Sequence, residues 1–128
     1  MKFNLTTNIL DWYDNNKRTL PWRVGKRSAN KLYYRVLSEF MLQQTQVKTV
    51  IPYFEKFTKE FQNLNSLSKA SEKKILKLWE GLGYYRRARN LLITSKILIH
   101  KYNSKLPQEI HEIKTLPGVG NYTSNVLA

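Results

Sequence analysis

RVLSEFMLQQTQV, residues Arg35 to Val47, is a stretch with helical periodicity. Val36, Leu37, Phe40, Met41 and Val47 fall on one side of a helical wheel, the pattern of a helix packed on a core. On the same wheel Glu39, Gln43 and Gln46 gather along one flank of that side. A carboxylate beside a run of amides is costly at the edge of a core, so each such group needs a partner or awaits a ligand. Periodicity alone favours the plainer alternative, a surface helix whose Glu and Gln are solvated.

Outward from this stretch the chain reads as a succession of helices. Residues 6–16 form a first helix, with Thr6 or Thr7 as cap and Ile9, Leu10, Trp12 and Tyr13 on its apolar side. Leu20-Pro21-Trp22-Arg23 follows as an extended segment, because the residue before proline avoids the helical region. Trp22 between Arg18 and Arg23 suits either a stacking and phosphate-contact cluster or a core tryptophan rimmed by arginines, and the second is favoured. After the Arg35–Val47 helix a third begins with Pro52 in its first turn and presents Phe54, Phe57 and Phe61 to the core. Ser71 caps a short helix bearing Ile75, Leu76, Leu78 and Trp79, which stops at Gly81. The next helix runs to about Tyr102 with Leu91, Leu92, Ile97 and Leu98 inward, and Pro107 opens a last short one.

Two loops carry chemistry. GLGYYRRAR, residues 81–89, combines two glycines, two tyrosines and three arginines, with Arg86 the first of the cations. That mixture suits a wedge and clamp on nucleic acid, and equally a glycine-terminated turn followed by the basic start of a helix. LPGVG, residues 116–120, lies between helical segments, where outward N–H groups at a helix start can hold a phosphate without reading its base.

Composition agrees. The 128 residues suffice for one domain, and 41% hydrophobic content suits a globular chain. Lys and Arg number 22 against 9 acids, a net charge of +13 that points to a polyanion, with nucleic acid ahead of an anionic membrane. No apolar run is long enough to span a bilayer and no signal-peptide core opens the chain. A cytoplasmic protein is therefore expected. With no cysteine the chain forms no disulfide and supplies no thiolate to zinc or an iron–sulfur cluster. His100 and His111 stand apart among polar neighbours and read as surface residues, so no metal site is expected.

Taken together, LSEFMLQQTQVKTVIPYFEKF, LWEGLGYYRRARNL and LPGVGNYT resemble the adenine DNA glycosylases of the MutY type, in that family's order and approximate spacing. LDWYDNN and LPWR near the start fit as well, so the likeness covers essentially the whole chain. The resemblance implies an all-α helix-hairpin-helix glycosylase bundle that excises adenine mispaired with 8-oxoguanine or guanine in double-stranded DNA. It also implies a monomer acting at the bacterial nucleoid. Glu39 matches the acid that protonates adenine N7, and Gln44 and Thr45 match residues that enter the duplex. Leu82 and Tyr84 match positions at the 8-oxoguanine, Arg18 and Trp22 the lining of the adenine pocket, and Gly118, Val119 and Gly120 the phosphate-holding hairpin. Tyr122 stands where endonuclease III and the 8-oxoguanine glycosylases carry a nucleophilic lysine, so a hydrolytic enzyme without a lyase step is implied.

The resemblance also sets out what residues 1–128 lack. The family's second catalytic carboxylate, its four [4Fe–4S] cysteines and its C-terminal Nudix-like domain are not within them, so a partial catalytic domain is expected, ending in or just after the hairpin. Weak or no excision by these residues alone follows, since the sugar cation would lack its stabilising carboxylate. Two alternatives are an endonuclease III-like glycosylase for damaged pyrimidines and a DNA-binding module without chemistry.

Overall fold

In a computed structural model the described residues are 20–23, 30–105, 107 and 109–119. The expected helix at 6–16 lies outside them, as do Arg18, Gly120 and Tyr122. The described residues hold six helices and no strand: α1 Lys31–Leu42, α2 Val47–Glu60, α3 Leu64–Ser68, α4 Glu72–Trp79, α5 Tyr85–His100 and α6 Ile110–Ile113.

The longer helices follow from their apolar stripes. Tyr33, Val36, Leu37, Phe40 and Met41 recur at three- and four-residue steps along α1, and Val50, Phe54 and Phe57 do so along α2, and all are buried. Ser71 caps α4 by accepting the Lys74 N–H, and Asn63 caps α3 by accepting that of Ser66. The five-residue α3 carries too few apolar positions to announce itself, and its cap was the one available signal.

α5 organises the bundle, packing against α1, α3 and α4. It carries Ala88, Leu91, Leu92 and Leu98 into the core, where Trp79 meets Phe57 edge-on with ring centres 5.9 Å apart. The Tyr33 hydroxyl donates to the Phe61 carbonyl across 2.7 Å, tying α1 to the end of α2, and burial pushes its pKa up.

Three expected details differ. The 35–47 stretch is broken: α1 ends at Leu42, Gln43 is extended, Gln44 is left-handed at φ 59°, and Val47 begins α2. Glu39 and Gln46 therefore do not share one helix flank. Pro52 is the sixth residue of α2, beyond the first turn, in an exposed position where water can take the carbonyl it cannot serve. Residues 20–23 form a turn closed by Arg23 N–H to the Leu20 carbonyl at 3.1 Å, since proline's fixed φ also suits a turn's second position.

Candidate functional site

The site residues come from three segments that the bundle gathers at one end of α1. The first is the end of α1 with the turn after it. Glu39 is half-buried at the start of the last turn of that helix, and burial raises its carboxyl pKa, opposed more weakly by Arg35 one turn earlier. Gln44 is exposed, while Gln43 and Thr45 are half-buried, and the Gln43 side-chain amide donates to the Gly118 carbonyl across 3.2 Å. That bond brings the LPGVG turn to the end of α1 from 75 residues away.

The LPGVG turn is the second segment. Gly118 has φ 79°, and a Cβ there would meet the Phe40 ring at 2.9 Å and Asn90 at 3.0 Å. Only glycine fits this approach, on conformation and on space. Thr94 of α5 donates to the Pro117 carbonyl at 3.0 Å, fixing the turn from its other side. Val119 is buried, and its N–H already donates to the Leu116 carbonyl at 3.1 Å. The Val119 amide is therefore already engaged within the turn, and Gly120 lies outside the described residues.

The third segment is the GLGYY turn. Leu82 is 7% exposed and belongs to the core, whereas Tyr84 is 65% exposed in a left-handed conformation at φ 49°. Leu82 thus gives this turn its footing and Tyr84 its outward aromatic face. Arg86 is exposed, and Arg89 pairs with Glu72 at 3.2 Å on the surface. Trp22 is half-buried edge-on to Phe54, with ring centres 5.4 Å apart, which makes it a core-edge tryptophan.

The residue that sequence reasoning missed is Arg87. Only 7% exposed, it donates to carbonyls on both sides of the site: Phe40, Met41 and Gln43 at the end of α1, Leu82 and Gly83 in the GLGYY turn. A signal existed. Arg87 stands on the same helical stripe as Leu91, Thr94 and Leu98, and a charge in an apolar stripe must be buried against acceptors.

The end of α1, the GLGYY turn and the LPGVG turn are thus tied together by the side chains of Arg87 and Gln43. The HhH-GPD superfamily, described as base excision DNA repair proteins, matches residues 37–126. The chain belongs to that superfamily.

Among HhH-GPD relatives, the adenine DNA glycosylase of Buchnera aphidicola subsp. Baizongia pistaciae is 49% identical over 120 residues, 93% of this chain and 33% of that protein. The adenine DNA glycosylase of Mus musculus is 40% identical over 127 residues, covering 95% of this chain and 25% of that protein. The chain spans about a third of the length of its bacterial relatives. In fold it is similar to endonuclease III in a trapped covalent intermediate with DNA, with a TM-score of 0.70 and 20% identity over 99% of this chain and 58% of the other. A thermostable thymine-DNA glycosylase gives a TM-score of 0.72 and 25% identity over 96% of this chain and 55% of the other. The all-α expectation and the likeness to MutY-type glycosylases both hold.

Endonuclease III-type glycosylases commonly carry an iron–sulfur cluster, and this chain cannot hold one: none of its 128 residues is a cysteine. Among the described residues no helix is long and apolar enough to cross a membrane, and no three His, Cys, Asp or Glu gather as a metal site.

Proposed function

We propose that this chain is part of an adenine-specific DNA glycosylase that hydrolyses the N-glycosidic bond of adenine opposite 8-oxoguanine or guanine. The observation that carries this reading is Glu39, an acid whose burial raises its pKa, set on α1 within a sequence 40–49% identical to adenine DNA glycosylases. Neutral adenine leaves poorly. Protonation of its N7 by Glu39 draws the electrons of the C1′–N9 bond onto the base, leaving an oxocarbenium-like sugar. Water then adds at C1′ and its proton returns to the carboxylate. A raised pKa is what a general acid working near neutrality requires.

In this reading Gln44 and Thr45 enter the duplex where the adenine leaves it, Tyr84 enters to stack against the 8-oxoguanine, and Arg86 meets the phosphates. Gln43 holds the hairpin against α1, and the turn that runs through Gly118, Val119 and Gly120 carries the phosphate grip. Leu82 seats the turn beside the 8-oxoguanine, and Arg18 and Trp22 line the adenine pocket. Tyr122, unable to form a Schiff base, leaves the reaction hydrolytic. The protein acts as a monomer in the bacterial cytoplasm, at the nucleoid. Residues 1–128 make up a partial glycosylase catalytic domain, weak or inactive alone.

The test is single-turnover excision on a duplex with adenine opposite 8-oxoguanine, followed by alkali to cut abasic sites. Cleavage by the native protein that falls by about 10²-fold or more in Glu39→Gln is the expected result, the scale of a lost general acid. Equal cleavage by both would remove Glu39 from the mechanism.

A further inference from the structure

The Arg87 guanidinium lies in the first turn of α5 with no carboxylate beside it, since the two ion pairs among the described residues are Lys74–Glu60 and Arg89–Glu72. Its charge is met instead by carbonyls. Nη1 donates to the Met41 carbonyl at 2.7 Å, to that of Phe40 at 3.3 Å and to that of Gln43, while Nη2 donates to Gly83 at 3.2 Å and Leu82 at 3.4 Å. The α1 carbonyls are the negative end of a helix dipole. The guanidinium also lies over two rings, 5.3 Å from the Trp79 centre and 5.5 Å from that of Tyr84. Nε is buried and unpartnered, so the group is held by its two terminal nitrogens.

Two of these carbonyls have a particular position. The Gln43 carbonyl belongs to the peptide unit that enters Gln44, and the Gly83 carbonyl to the unit that enters Tyr84. Gln44 and Tyr84 are both non-glycine residues with positive φ, at 59° and 49°. Such conformations persist only where the surroundings over-determine them. One guanidinium holds both entering peptide planes, and the Trp79 indole N–H reinforces the second by donating to the Gly83 carbonyl at 2.9 Å.

We propose that Arg87 is a positioning residue that sets Gln44 and Tyr84 at a fixed separation before DNA arrives, so that both enter the mispaired site together. The proposal rests on the reading above that these two side chains enter the duplex. A planar fork with two separate nitrogens reaches both segments, whereas the single ammonium of lysine keeps the charge and reaches one.

The test uses the full protein and duplexes carrying 2-aminopurine beside the mispair, whose fluorescence rises when a wedge unstacks it. Arg87→Lys is expected to bind fully matched duplex within about twofold of the native protein, since surface cations supply that affinity. It is expected to lose about tenfold or more of its preference for the mispaired duplex, and the fluorescence rise with it, because a misplaced wedge engages poorly. Tyr84→Ala and Gln44→Ala serve as references. Native-like preference and fluorescence in Arg87→Lys, with both lost in Tyr84→Ala, would overturn the positioning role and leave the wedge standing. Intact signals in both Tyr84→Ala and Gln44→Ala would remove the wedge, and the positioning role with it. If Arg87→Lys does not fold, the native protein decides. The Arg87 Nη protons should be protected from exchange in nitrogen-edited NMR spectra before and after DNA binds, and fast exchange in the free protein would overturn the proposal.

Discussion

Glu39 shows how one side chain can couple stability to chemistry. Burial raises its carboxyl pKa more than Arg35 lowers it, so the folded chain holds this proton more tightly than the unfolded chain does. At low pH both states are protonated and nothing is lost. As pH climbs from the ordinary carboxylate range through the raised folded value, the unfolded state ionises first and stability falls; above that value the loss is complete. Glu39→Gln should therefore raise the Tm at pH 7, with the gain vanishing toward pH 4. A Tm difference that is flat with pH between native and variant would show that the carboxyl is not held out of water. Arg87 is the opposite case, a buried charge matched by five carbonyl acceptors. Side by side in the RRAR run, Arg86 is exposed and Arg87 buried, a division set by which one falls on the apolar stripe of α5.

At the scale of elements, the division of the MLQQTQV segment into two helices is the feature that shapes the site. Its apolar pattern continues past Leu42, so periodicity alone runs one helix through it. The chain turns there because Arg87 takes up the last α1 carbonyls and the Gln43 amide is drawn to Gly118. Both partners are distant in sequence. The LPGVG turn is fixed as closely: it is held by Thr94 and Gln43, and Gly118 has Phe40 and Asn90 against it. Gly118→Ala should cost about 2–3 kcal/mol, from a strained positive φ together with the overlap. Chemical denaturation would check it, and a change within about 0.5 kcal/mol, the scale of an uninvolved surface position, would mean the turn yields easily.

Across the whole molecule the dominant fact is charge. With +13 on 128 residues, the protein should bind duplex DNA of any sequence with an affinity that falls steeply and linearly in log–log form with salt. An affinity unchanged between about 50 and 200 mM salt would show that the basic excess does not meet phosphate. The sequence by itself determined the class of fold, the phenylalanine and leucine core, the Ser71 cap and the likeness to adenine glycosylases, because apolar periodicity, capping chemistry and short motifs act over a few residues. It also singled out Glu39, Tyr84 and Gly118 as positions of consequence. Only the tertiary structure decided that Leu82 faces inward and Tyr84 outward, that α1 ends before Gln43, and that Arg87 joins the two segments around the site. The last two outcomes depend on hydrogen bonds between residues about 45 or more positions apart, and no local pattern records which distant carbonyl a buried guanidinium will find.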